Sequence, residues 1–193
     1  DATFDMSEGG NNTFVADNNV AYNGSLSYTG GAGVDSLTFG MNLAFNTDGD
    51  ATFDMSEGGN NTFVAGTNAA YSGSLAYTGG SGVDSLTFGD NLAYALPGSV
   101  TLDLGNDTAA DAVKFQGSVG ESGGTVTIKN FNFNHDTIDV PAGVSATAGE
   151  IADAGGDLTW TDSGGSHTIV FEEIGTGGAG VLATATQLIA DII

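Results

Sequence analysis

Cysteine is absent from the 193 residues, so no disulfide can hold this fold; a repetitive β core clipped by metal ions needs none. Arginine is absent too, and two histidines apart the only bases are Lys114 and Lys129, against 24 acids. The formal net charge of −22 excludes nucleic acid, whose phosphates need basic partners, and anionic membrane surfaces. It also opposes compaction by self-repulsion. Bound divalent cations would relieve that repulsion, and so would high salt, by screening. No run of 18 apolar residues occurs, so no membrane-spanning helix is expected. Only 2 prolines accompany 32 glycines, and the glycines follow no G-x-y period, which excludes collagen. The chain opens on Asp1 with no methionine and no visible leader, as expected of a processed protein or a fragment of a longer one.

What is abundant is Asp, Asn, Gly, Ser and Thr between short apolar runs, the pattern of an all-β protein. Residues 1–49 align with 50–98 without a gap; 11 of the 49 positions differ and 38 are identical. A period of 49 is long for one coil and reads as two rungs of about 24 residues each. Four strands are predicted in the first unit, over 2–6, 13–16, 25–28 and 36–39. In them Phe4 and Met6, Leu26 and Tyr28, and Leu37 and Phe39 share faces. Stacking is expected to lay Phe4 over Phe53 and Leu37 over Leu86. A degenerate third copy begins at Ser99, with Val100–Leu104 matching Ala51–Met55. The expected organisation is therefore a parallel β-solenoid over 1–117 and a β-rich cap or assembly domain over 118–193. A hairpin is predicted from Asp157–Thr161 and His167–Phe171, and a short helix or last strand over 184–193.

Two stretches, Gly30-Gly31-Ala32-Gly33-Val34-Asp35 and Gly79-Gly80-Ser81-Gly82-Val83-Asp84, fit G-G-x-G-x-D. They resemble the calcium-binding nonapeptide of repeats-in-toxin (RTX) proteins, secreted by bacteria, although the tandem array of that family is missing. The resemblance implies Ca²⁺ at Asp35 and Asp84 with carbonyls of Gly31, Gly33, Gly80 and Gly82. Positive-φ glycines in the turn and a hard anionic oxygen suit that ion. Asp5, Asp54 and Asp103 recur at one solenoid position, where a cation would turn stacked repulsion into attraction, and Glu8 and Glu57 stand three residues on from the first two. The segment from Gly124 to Val140 is similar to the C-terminal region of RTX proteins exported by type I secretion, and the acidic-then-apolar end is similar to their uncleaved signals. That implies an extracellular or cell-surface location.

Other chemistry finds little support. Asn46, Asp48, Asp50 and Glu57 have EF-hand spacing, but Ala51 replaces the required glycine. Asp162-Ser163-Gly164-Gly165 looks like a protease nucleophile motif yet suits a hairpin turn, and His135 and His167 belong to no zinc pattern. No enzyme is expected. Ice binding would need a T-x-T ladder on every rung, whereas Thr3, Thr13, Thr29 and Thr38 sit in different contexts. The favoured expectation is a calcium-stabilised structural protein, a filament, surface-layer or matrix subunit that polymerises head to tail, with cell-surface polysaccharide as a candidate second partner. The alternative is a repeat fragment of an adhesin that does not polymerise.

Overall fold

The computed structural model describes residues 1–120, 122–132, 135–140, 145–148, 156–161 and 166–172. The fold is all-β, a solenoid of about five turns with no helix among the described residues. Each coil supplies one strand to each of two sheets. Sheet A takes β1 (Ala2–Asp5), β3 (Ser25–Thr29), β5 (Asp50–Asp54), β7 (Ser74–Thr78), β9 (Ser99–Asp103) and β11 (Thr125–Lys129). Sheet B takes β2 (Thr13–Ala16), β4 (Ser36–Phe39), β6 (Thr62–Ala65), β8 (Ser85–Phe88), β10 (Ala112–Phe115) and β12 (Thr137–Asp139). All of these pair parallel with the next coil. Past Gly117 both sheets simply continue, through β11 and β12. Sheet A then adds β15 (Ser166–Glu172) parallel to β11, and closes with β14 (Gly156–Thr161) and β13 (Ser145–Ala148), both antiparallel. β14 and β15 form the hairpin read from the sequence; residues 184–193 and the loop 162–165 lie outside the described residues.

Two kinds of rung explain why the repeat is 49 residues and not half that. Odd rungs point Ala51 and Phe53 inward from sheet A, and Phe63 and Ala65 inward from sheet B. Even rungs point Leu75 and Tyr77, then Leu86 and Phe88. Ala51 therefore lies between Leu26 and Leu75, and Ala65 between Phe39 and Phe88, so each small residue is flanked by large ones in the neighbouring rungs. The phenylalanines interlock across the coil: the Phe53 and Phe63 centroids stand 4.8 Å apart, and Phe63 stands 5.7 Å from both Tyr77 and Phe88.

Register corrects two stacking expectations. Phe4 does not lie on Phe53; Tyr28 of the intervening rung separates them. Likewise Phe63 separates Leu37 from Leu86.

Candidate functional site

The residue before each strand of sheet B points inward although it is polar. Asn12, Asp35, Asn61, Asp84, Asp111 and Asp136 form one column that runs the length of the solenoid. The backbone holds its register, since the N–H that opens each strand donates to the carbonyl of the column residue one coil earlier, as Thr62 does to Asp35 and Ser85 to Asn61. Asp35 and Asp84 are 0 % exposed, Asn61 and Asp111 2 %.

Each column residue donates its backbone N–H to the next residue's side-chain oxygen. The Asn12 N–H reaches Asp35 Oδ1 at 2.8 Å, Asp35 reaches Asn61 Oδ1 at 3.1 Å, and Asn61 reaches Asp84 Oδ1 at 3.1 Å. Asp84 then donates to Asp111 at 2.8 Å, and Asp111 to Asp136 at 3.0 Å. The asparagines add a second donor, with Asn12 Nδ2 at 2.9 Å and Asn61 Nδ2 at 3.1 Å from the following aspartate. Buried polar groups are tolerable when hydrogen-bonded, and in rungs 1–4 the Asn–Asp alternation gives every carboxylate an amide partner. Rung 5 breaks the rule. It has Asp111 where an asparagine is due, so three acids follow one another.

Burial is the main reason that these three are hard to ionise. It pushes Asp84 and Asp136 up to about 6 and Asp111 up to about 7, against amide bonds that pull the other way. The neighbouring charges of Asp136, Asp84 and Asp107 add to the effect on Asp111. Asp35 Oδ2 and the Tyr28 hydroxyl are buried without a hydrogen-bond partner; the Tyr77 hydroxyl and Asp84 interact side chain to side chain, which partly offsets the effect of burial on Asp84. Burial and then the adjacent Asp84 push the Tyr77 hydroxyl upward.

The G-G-x-G-x-D glycines serve this column by closeness, not by the positive φ that the sequence suggested. None of Gly30, Gly31, Gly33, Gly79, Gly80 and Gly82 is in the left-handed region. A Cβ on Gly30 would run into Asp35 Oδ2, and one on Gly79 into Asp84 Oδ2. A Cβ on Gly31 would stand 2.8 Å from Gly9 Cα, and one on Gly80 2.7 Å from Gly58 Cα. Gly33 and Gly82 abut the carbonyls of Gly10 and Gly59. Positive φ is found instead in the alternate turn, at Gly9, Gly10, Gly58 and Gly59.

The second group of candidates is spaced differently from the sequence expectation. Thr29 and Thr78 stand between Asp5, Asp54 and Asp103, so the acids are two rungs apart, roughly 10 Å. Each caps its own turn: Asp5 accepts from Ser7 N–H and Asp54 from Ser56 N–H, both at 3.1 Å, and Asp103 from Gly105 N–H at 3.1 Å. The Ser7 hydroxyl, with its amide, holds Asp5 below the usual carboxylate range. Glu8 and Glu57 are exposed. Among the described residues, no three acids or histidines converge as a metal site would require.

The sequence reading missed a second polar ladder. Asn19, Asn42, Asn68 and Asn91 all adopt left-handed φ of 60–63°, and Nδ2 of Asn42, Asn68 and Asn91 each donates to the Oδ1 of the asparagine one coil earlier at 2.8–2.9 Å. Beside them Tyr22, Phe45, Tyr71 and Tyr94 stack with centroids 4.8–5.0 Å apart and planes within 16°. The signal was present, since N-x-A-aromatic occurs four times.

Comparison with family models, with curated proteins and with solved structures gave no match.

Proposed function

We propose that this chain is an extracellular structural protein that turns over no substrate and associates with a second copy of itself through its first rung. Calcium acts, in this reading, on the acids that such a contact brings together. The observation that carries it is the identity of rungs 1 and 3. β1 and residues 51–54 of β5 share the sequence ATFD, and β2 and β6 share TFVA. Rung 3 turns these strands toward rung 2, where Phe53, Met55 and Phe63 are 0 % exposed. Among the described residues, no strand pairs with the outer edges of β1 and β2, Met6 is 39 % exposed, and Phe4 and Phe14 are half-buried. An open edge with apolar neighbours is adhesive.

The ends differ, which bears on geometry. Among the described residues, sheet A runs three strands beyond β11, whereas β12 is the outermost strand of sheet B. Among the described residues, that end presents no level strand pair to receive β1 and β2. A parallel rung of the rung 2 kind also fits poorly above rung 1: a Cβ on Gly66 would stand 2.8 Å from the Gly40 carbonyl, and rung 1 carries Asp17 at that position. Pairing of two first rungs fits better than an endless head-to-tail filament. It would gather Asp1, Asp5, Glu8 and Asp17 of both copies, all exposed, where a divalent cation offsets repulsion.

Sedimentation velocity across a concentration series, in calcium and in EDTA, tests this. Concentration-dependent dimers are expected in calcium, weakened by Thr3→Pro and Val15→Pro, which remove edge donors. A monomer under both conditions, or association indifferent to both prolines, overturns it.

A further inference from the structure

The outer surfaces of the two sheets differ in charge. Sheet A carries Asp5, Asp50, Asp54 and Asp103 outward. Sheet B carries no charge on its first four strands. Thr13, Ser36, Thr62 and Ser85 follow one another in register along one outward column. Two residues on, Val15, Thr38, Val64 and Thr87 form the next. Two residues before, Asn11, Val34, Asn60 and Val83 make a third, tied in pairs because Val34 and Val83 donate N–H to Asn11 and Asn60 Oδ1 at 2.9 Å. Every one of these residues is at least partly exposed, and Val15, Val34 and Val83 reach 72 %, 48 % and 42 %. Charge returns only beyond, where Lys114 of β10 pairs with Asp139 of β12.

A charge-free face on a protein of net charge −22 needs a reason, and its periodicity supplies one. Rows repeat every ~4.8 Å along the solenoid and columns every ~6.6 Å along the strands, over roughly 300 Å². That area is too small for a stable dimer, which needs about 800 Å² per partner. A concavity of about 240 Å³ touches this face at its rung 4 edge, where Ser85 and Thr87 meet β10 and β12; the array as a whole is met row by row only by a periodic partner. Hydroxyls at fixed intervals anchor water by hydrogen bonds, and the methyls of Val and Thr order the water between them; a charge would bind water around itself and break the lattice. The sequence expectation against ice rested on threonines in unlike contexts. The register places Thr13 and Thr38 in neighbouring columns of one lattice.

We infer that the sheet B face of rungs 1–4 adsorbs to ice. The test is partition of the purified chain into slowly grown ice, with the freezing–melting gap and crystal shape recorded alongside, in calcium and in EDTA. Enrichment in the ice, faceted crystals and a measurable gap are expected. Thr38→Lys and Val64→Lys, on the face, should return all three to the buffer value. Thr52→Lys, on sheet A, should leave them unchanged, and circular dichroism should show all variants folded. Exclusion of the wild-type chain from ice overturns the inference. So does equal loss in Thr52→Lys, or retention on crystalline cellulose or chitin with no effect on ice.

Discussion

Replacing Asp111 by asparagine should stabilise this protein at neutral pH. The column already shows what asparagine does there. Asn61 accepts the Asp35 N–H through Oδ1 and donates Nδ2 to Asp84. In the Asp111→Asn variant the new amide can accept the Asp84 N–H in the same way and offer its Nδ2 to Asp136. In the native chain the three consecutive acids are protonated in the fold at pH values where the unfolded chain has lost those protons. The folded column therefore binds more protons than the unfolded chain between about pH 4 and pH 7, and stability falls as pH rises through that window. For Asp84 alone, a rise from 3.8 to about 6 corresponds to about 3 kcal/mol at about 1.4 kcal/mol per pH unit. The three acids titrate as a coupled set, so their sum is smaller than three separate terms. Asp111→Asn should recover about 2 kcal/mol at pH 7.5 and flatten the slope between pH 5 and pH 7. Urea denaturation followed by circular dichroism measures both. General repulsion has the same sign, so the series belongs in about 1 M salt, where screening acts within ~3 Å and spares buried pairs. Destabilisation by Asp111→Asn at pH 7.5, or a native slope that vanishes in high salt, refutes the reasoning.

Three further outcomes follow from the packing. Gly59→Ala should cost about 3 kcal/mol, because φ is +88° and a Cβ there would run into the Gly33 carbonyl; the denaturation midpoint reads it. Asn68→Ala breaks two ladder hydrogen bonds and puts alanine at φ 63°, for a loss of about 3 kcal/mol; Asn68→Gly, which keeps the backbone free, should lose less. Asp54→Asn should hardly change stability, since an amide oxygen can still cap Ser56 and the nearest acids of that column lie two rungs away; an equal midpoint checks it, and a rise of more than about 1 kcal/mol would reveal repulsion across the rungs.

The repeat, the strands and the inward faces were legible because each rests on local pattern. Val100–Leu104 was matched to Ala51–Met55 by sequence alone, and β9 extends the sheet in that register. Stacking neighbours were not legible, because near-identical units invite comparison at 49 residues while contacts form at about half that, with Tyr28 and Phe63 between the expected pairs. The G-G-x-G-x-D motif reads as a turn, yet Asp35 and Asp84 lie in the wall. An acid after a glycine run reads as exposed, and nothing local says that Asn12 and Asn61 of the neighbouring coils will supply amides. A glycine run reads as conformational freedom, whereas these glycines serve contact with the adjacent backbone. The uncharged face of sheet B was hidden because its residues come from four separate strands.

The most direct test of the structural role is electron microscopy of the chain at high concentration, in calcium and in EDTA, with class averages long enough to show the ends. Paired particles joined at the β1–β2 end, separated by chelation, are the predicted result. Single solenoids in both conditions would contradict the self-association at the centre of this account.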